Sequence, residues 1–82
     1  MEIHYSYKAR DDFEGISGDI QKRIAKKMRF YASQKDLLKF AERLTDLREG
    51  EFRFRVGDWR LFFDVKGGKI FILRIKHRSK AY

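Results

Sequence analysis

The sequence predicts an α+β domain of element order β-α-α-β-β-β, a small antiparallel-rich sheet with two helices packed on one face. Three observations carry this: an alternating stretch at the N-terminus, an apolar stripe at helical spacing over residues 20–31, and two consecutive hairpin signatures after residue 51. The order of these signals along the chain sets the order of the elements.

In "EIHYSY", residues 2–7, Ile3, Tyr5 and Tyr7 alternate with polar positions, so a half-buried strand is expected with His4 on its outer row. "KARDDF" places Ala9 and Phe13 at helical spacing, and Gly15 follows as a stop. Ser17 is a candidate N-cap, and Asp19 lies in the first turn, where the helix dipole favours an acid. Ile20, Ile24, Met28 and Tyr31 then form one apolar stripe opposite Lys22, Lys26 and Arg29. Leu37, Phe40, Ala41 and Leu44 permit a shorter helix between Asp36 and Leu47.

The remainder predicts a β-meander. "FRFRVGDWRLFF", residues 52–63, alternates on both sides of Gly57-Asp58, which predicts two strands joined by a two-residue turn. Val56 then faces Trp59, Arg55 faces Arg60, and Phe54 faces Leu61. Arg53, Arg55 and Arg60 share one face, while Phe52, Phe54, Val56, Trp59, Leu61, Phe63 and Val65 share the other. Like charges opposite one another oppose pairing by roughly 0.2–1 kcal/mol. Either these side chains splay into water or an anion sits between them. "KGGK" at 66–69 makes a second turn into the apolar run "IFILRIK". A two- or four-residue loop there puts Phe62 opposite Leu73, Leu61 opposite Arg74 and Arg60 opposite Ile75, so that Phe62, Phe71, Leu73 and Ile75 join the arginine face. A three-residue loop reverses that assignment.

At 82 residues the chain is expected to be one small domain spanning 1–82, and eight Phe, four Tyr and one Trp supply the buried area so short a chain needs. Cysteine is absent, which excludes disulfides and thiolate metal sites. No apolar run approaches the ~20 residues of a membrane span, and "MEIHYSY" lacks the regions of a signal peptide. A cytoplasmic, soluble protein is expected.

The net charge of +8 is unevenly placed. Residues 1–50 carry eleven Lys or Arg against nine Asp or Glu, whereas residues 51–82 carry nine against three. Such asymmetry points to a polyanionic partner, nucleic acid first.

Two segments in order narrow this further. "FRFRVGDWRLFFDV", a basic strand, a Gly-containing turn and an Arg-initiated strand, precedes "ILRIKHRSKAY", a final strand ending in His-Arg-x-x-x-Tyr. Together they resemble the RelE/ParE superfamily of bacterial and archaeal toxins, the killing halves of toxin-antitoxin pairs. The resemblance covers essentially the whole chain and implies the microbial RNase-like RelE fold. In the RelE-like branch, which it favours, the toxin enters the ribosomal A site and cuts mRNA. The 2′-OH attacks the neighbouring phosphate, leaving a 2′,3′-cyclic phosphate and a 5′-OH. The family's site maps by motif to Arg53, Arg55, Arg60, Arg78 and Tyr82. The implied partners are a cognate antitoxin, mRNA and the ribosome, with operator DNA reached only through the toxin-antitoxin complex. No cofactor, metal or membrane is implied.

Physical roles follow from chemistry. Arg60 and Arg78 would stabilise the phosphorane with bidentate, charge-assisted bonds, Arg53 and Arg55 would hold flanking phosphates, and Tyr82 would stack on an exposed base. The best-known members carry lysine where Arg53 and Arg55 stand, and arginine effectively does not deprotonate, which argues against Arg55 as general base. His77 is the candidate substitute, because imidazole shuttles protons near neutral pH. Its position also suits a phosphate contact or a cap at the end of the sheet. Arg74 is expected to be ion-paired, Asp58 to serve the turn, and Trp59 with the phenylalanines at 52, 54 and 63 to be core. The rival branch is ParE-like, which inhibits DNA gyrase without a hydrolytic site. A third reading is a cleavage-incompetent relative that binds RNA.

Overall fold

The computed structural model describes residues 1–81. A short strand, β1 (Glu2–Tyr5), leads into two helices, α1 (Tyr7–Glu14) and α2 (Gly18–Ser33), and a 3-10 turn over Leu37–Phe40. Four strands follow, β2 (Glu42–Arg43), β3 (Phe52–Val56), β4 (Trp59–Lys66) and β5 (Lys69–His77), and a second 3-10 turn spans Arg78–Lys80. The five strands form one sheet in the order β1-β5-β4-β3-β2, with β1 parallel to β5 and the other neighbours antiparallel. The α+β class and its order stand, with one strand added.

Ser6 makes the first turn of the chain. Its hydroxyl accepts the Ala9 N–H at 3.0 Å and donates to the Leu73 carbonyl at 2.8 Å, so it caps α1 and ties that cap to β5. The cap starts the helix early. Tyr7, expected in the buried row of the first strand, instead begins α1 and is 74% exposed. Gly15 ends α1 as expected, its N–H shared between the Asp11 and Asp12 carbonyls. Ser17 occupies the N-cap position of α2 but makes no side-chain capping bond. The expected stripe faces the sheet, with Ile24, Met28 and Tyr31 buried and Ile20 packed at its edge.

The helix expected between Asp36 and Leu47 does not form. Only Leu37–Phe40 coils, and from Ala41 the backbone is extended, with Glu42 pairing Arg53 and Arg43 pairing Phe52. Leu37 is buried whereas Phe40 is 44% exposed, so the apolar spacing serves a single turn. Strand pairing, joined by a Glu42–Arg53 ion pair, outcompetes a weak local propensity.

The first hairpin has the expected register: Val56 pairs Trp59, Arg55 pairs Arg60 and Phe54 pairs Leu61. Gly57 adopts φ 59° at the first turn position, as a II′-type turn requires. The second hairpin turns on Gly67-Gly68 with Lys66 paired to Lys69, but its register then shifts. Phe63 pairs Ile72 and Phe62 pairs Arg74, which leaves Leu73 as the extra residue of a β-bulge. The expected pairs Phe62–Leu73, Leu61–Arg74 and Arg60–Ile75 are therefore replaced by Phe62–Arg74, Leu61–Ile75 and Arg60–Lys76. Ile75 enters the core, and Lys76 joins the arginine face in its place.

Contacts from distant residues hold that bulge. The Ser6 N–H donates to the Ile72 carbonyl and the Ser6 hydroxyl to Leu73, where β1 ends beside β5. Just beyond, Asp12 accepts the Ile75 N–H at 2.9 Å and both Arg74 Nε and Nη2, at 2.8 and 3.1 Å. From the other side Gly50, at φ 136°, lies so close that a β-carbon there would meet the Phe63 carbonyl oxygen at 3.1 Å. The core fills the helix side of the sheet. Its centre is an aromatic stack in which Tyr31 meets Phe54 at 4.2 Å and Phe54 meets Phe63 at 4.3 Å. No helix among the described residues is long and apolar enough to cross a membrane.

Candidate nucleic-acid interface

Because the helices cover one face of the sheet, period-2 alternation delivers Arg53 and Arg55 from β3, Arg60 from β4 and Lys76 from β5 to the other. Cations on adjacent strands repel one another unless an anion intervenes. The intervening anion is Glu42. One of its oxygens accepts Arg53 Nε at 3.1 Å and Nη2 at 2.7 Å, and the other lies 3.3 Å from Arg55 Nη1. The Arg53 hydrogen bonds hold the Glu42 carboxyl below the usual glutamate pKa, against a smaller opposing effect of burial, with Arg53, Arg55 and Arg60 adding attraction. Lys76 has its own counter-ion, with Nζ 2.6 Å from Glu49.

Arg60 is only 4% exposed. Its Nη1 donates to the carbonyls of Gly57 at 2.9 Å and Trp59 at 3.0 Å, so the guanidinium braces the turn that positions it. Beside these residues the face opens into a cleft of about 700 Å³. Phe62 and Arg53 line it from the sheet, together with residues of the 42–49 segment and with Lys80 and Ala81 from beyond β5. Asp46 and Arg48 in that segment form an exposed pair of 2.6 Å, which lowers the Asp46 pKa to about 2.

Not every expected site residue joins this face. Arg53, Arg55 and Arg60 do; Arg78 stands at the end of the sheet, its N–H donating to the Asp58 carbonyl at 2.7 Å and its Nε 3.5 Å from the Asp58 carboxylate. Asp58 is thus a turn residue that also anchors Arg78. His77 lies across from Trp59, edge to face at a centroid distance of 5.3 Å, on the helix side of the sheet. Its Nδ1 accepts the Ser79 N–H at 3.2 Å and caps the last 3-10 turn. Arg74 is ion-paired to Asp12, as expected. Burial alone would raise the Asp12 pKa, but the Arg74 and Ile75 hydrogen bonds outweigh it and lower the value. Tyr82 lies outside the described residues.

Sequence reasoning missed Glu42, Glu49, Lys76 and Lys80. Lys76 was legible only to a reader who placed the bulge, and Glu42 belonged to a segment expected to be helical. The expected apolar strip on the arginine face shrinks accordingly, since Ile75 has left it.

The family model for the ParE toxin of type II toxin-antitoxin systems, parDE, matches residues 3–82. The chain belongs to this family, and it is a toxin of a type II toxin-antitoxin system within the RelE/ParE superfamily. Solved structures share the fold. In the RelBE2 toxin-antitoxin complex of Mycobacterium tuberculosis, the matching chain is 23% identical with a TM-score of 0.77, covering 94% of this chain and 96% of that one. The RelB-RelE complex of Methanococcus jannaschii matches at 22% identity and TM-score 0.75, covering 96% and 94%. The chromosomal ParDE system of Pseudomonas aeruginosa matches at 19% and 0.70, covering 94% and 95%. By sequence, no curated protein matches the chain.

Proposed function

We propose that this toxin is a ribosome-dependent mRNA interferase, neutralised by a cognate antitoxin. The observation that carries the reading is the register of Arg53, Arg55, Arg60 and Lys76 on the face the helices leave uncovered, beside a cleft large enough for a nucleotide. In the reaction the RNA 2′-oxygen bonds to the adjacent phosphorus as the bond to the 5′-oxygen breaks. The 2′-hydroxyl proton departs and the 5′-oxygen gains one. Guanidinium groups serve the charge that accumulates on the nonbridging oxygens between these events. Arg60 is pre-oriented by its carbonyl bonds, Arg78 stands at the edge, Arg53 and Arg55 hold flanking phosphates, and Tyr82 stacks on a base. A site rich in arginine supplies electrostatics and orientation more than proton transfer, so presentation of the RNA by the ribosome supplies much of the rate.

One observation favours a second reading, inhibition of DNA gyrase without hydrolysis. His77, the expected proton shuttle, is on the opposite side of the sheet from Arg60, and the carboxylates of the face are ion-paired. Mapping of mRNA 5′ ends during in vitro translation separates the two. The exposed Arg55→Gln and Arg78→Ala variants suit it better than a change at buried Arg60, because they leave the core alone. New ends within ribosome-occupied codons, lost in these variants, are the expected result. Intact message with unimpaired translation, together with blocked supercoiling by gyrase, would transfer the conclusion to the second reading.

A further inference from the structure

We propose that residues 42–49 form an acidic strap in which Glu42, on Arg53 and Arg55, and Glu49, on Lys76, stand where phosphates of single-stranded RNA bind, so that RNA must displace them. The inference deepens the RNA-binding reading and rests on it. Carboxylate and phosphate oxygens are both acceptors of charge-assisted guanidinium bonds, and one Glu42 oxygen takes Arg53 Nε and Nη2 together, as a single phosphate oxygen can, while the other faces Arg55. Glu49 gives Lys76 a point contact at 2.6 Å, the way a lysine meets a phosphate oxygen.

The strap is suited to yield. Both glutamate side chains are 40% exposed, so they lie at the mouth of the site and not beneath it. Strand β2, which carries Glu42, is two residues long, and beyond it the strap is tied back by the Leu44 N–H to the Glu51 carbonyl at 2.9 Å. Segments with so few buried contacts open at low cost. Being part of the chain, the two carboxylates compete with any incoming anion at a high effective concentration. A protein with a net charge of +8 binds polyanions indiscriminately if its cations are bare. An internal competitor suppresses weak, single-phosphate contacts and admits RNA that engages several cations together.

The test is equilibrium binding of a short fluorescein-labelled single-stranded RNA across a salt series, with Glu42→Gln, Glu49→Gln and the double variant beside wild type. Glu14→Gln, an exposed change on α1, matches the change in charge away from the face. We expect Glu42→Gln to bind about tenfold tighter, the double variant tighter still, and log K against log salt to steepen by about 0.7 for each phosphate gained. Glu14→Gln should change affinity less than about twofold. The gain must shrink when Arg55→Gln is added to Glu42→Gln, because of these two arginines Arg53 alone is then left for Glu42 to release. Gains no larger than that of Glu14→Gln, or a gain left undiminished by Arg55→Gln, would overturn the strap. Thermal unfolding verifies that each variant is folded, and Glu49→Gln carries the comparison alone if Glu42→Gln is not. Message cleavage is scored separately: tighter binding without cuts leaves the strap and removes the interferase, whereas cuts without tighter binding do the reverse.

Discussion

Glu42 and Arg53 face each other across β2 and β3, and their side chains close a forked ion pair with bonds of 3.1 and 2.7 Å. This pair converts a repulsive face into a held one, because Glu42 also reaches Arg55. Its pH dependence has a definite sign. The folded-state pKa of Glu42 is lowered, so its stabilisation is fully present above the unfolded value of about 4.3 and is lost as pH falls through the folded value. With the carboxylate exposed to solvent, the contribution is under about 1 kcal/mol. Thermal midpoints of wild type and Glu42→Gln should differ slightly near pH 6 and converge by about pH 3. A gap that widens on acidification would contradict this assignment.

Asp12 is the larger electrostatic element. It is less exposed, at 18% of its side chain, and serves two purposes: it neutralises Arg74 and accepts the otherwise unpaired Ile75 N–H beyond the end of β1. Asp12→Ala removes both and should cost about 2–3 kcal/mol, more than Asp12→Asn, which retains an acceptor oxygen. Its lowered pKa places the loss of its contribution below about pH 4. Urea unfolding at neutral pH orders the three proteins, and equal midpoints for wild type and Asp12→Ala would refute the role.

Gly50 fixes the approach of the strap to the bulge. Its φ of 136° is one that side-chain-bearing residues rarely adopt, and the added carbon of Gly50→Ala would press on the Phe63 backbone at 3.1 Å. The substitution should destabilise by about 1–3 kcal/mol. It should also loosen the 42–49 segment, read as faster amide exchange at Leu44, whose N–H is bonded to Glu51. A neutral Gly50→Ala would mean that the bulge relaxes without cost.

Much of this was legible in the sequence, for reasons specific to each element. Alternation through "FRFRVGDWRLFF" pins one face, and Gly57-Asp58 pins the turn, so the register and the shared face of Arg53, Arg55 and Arg60 followed. "IFILRIK" is apolar at nearly every position and so carries no alternation to reveal a slip. The bulge at Leu73 is decided by Ser6, Asp12 and Gly50, all remote in sequence. That single extra residue brings Lys76 onto the arginine face and places His77 beside Trp59. Glu42 escaped notice because the spacing around Phe40 and Leu44 fits a helix as well as it fits the short edge strand that forms.

Arg60 couples stability to binding. A guanidinium buried to this degree needs its carbonyl acceptors, and Arg60→Ala leaves the Gly57 and Trp59 carbonyls without that donor. A loss of about 2–4 kcal/mol is expected in chemical denaturation. Arg60→Lys should recover only part of it, because one ammonium on a flexible stem cannot reproduce the fork. Toxicity lost in Arg60→Ala therefore reports on phosphate binding only where circular dichroism shows a folded protein. Full stability in Arg60→Ala would show that the turn does not depend on this brace.

His77 gives the sharpest separation between sequence pattern and structure. Its imidazole chemistry nominates it as a proton shuttle, yet its ring packs on Trp59 and its Nδ1 caps the Arg78–Lys80 turn, in line with the capping alternative that its position also suited. A group on the helix side of the sheet does not reach a phosphate held by Arg53 and Arg55. His77→Ala should accordingly leave the pattern of mRNA ends and the pH dependence of cleavage unchanged. It should lower stability by about 0.5–2 kcal/mol through the lost cap and ring contact. His77→Asn, which keeps a capping acceptor, should restore most of that loss. If cleavage instead falls by orders of magnitude in both variants while folding is intact, the imidazole acts in the chemistry, and the end of β5 must rearrange on the ribosome to present it.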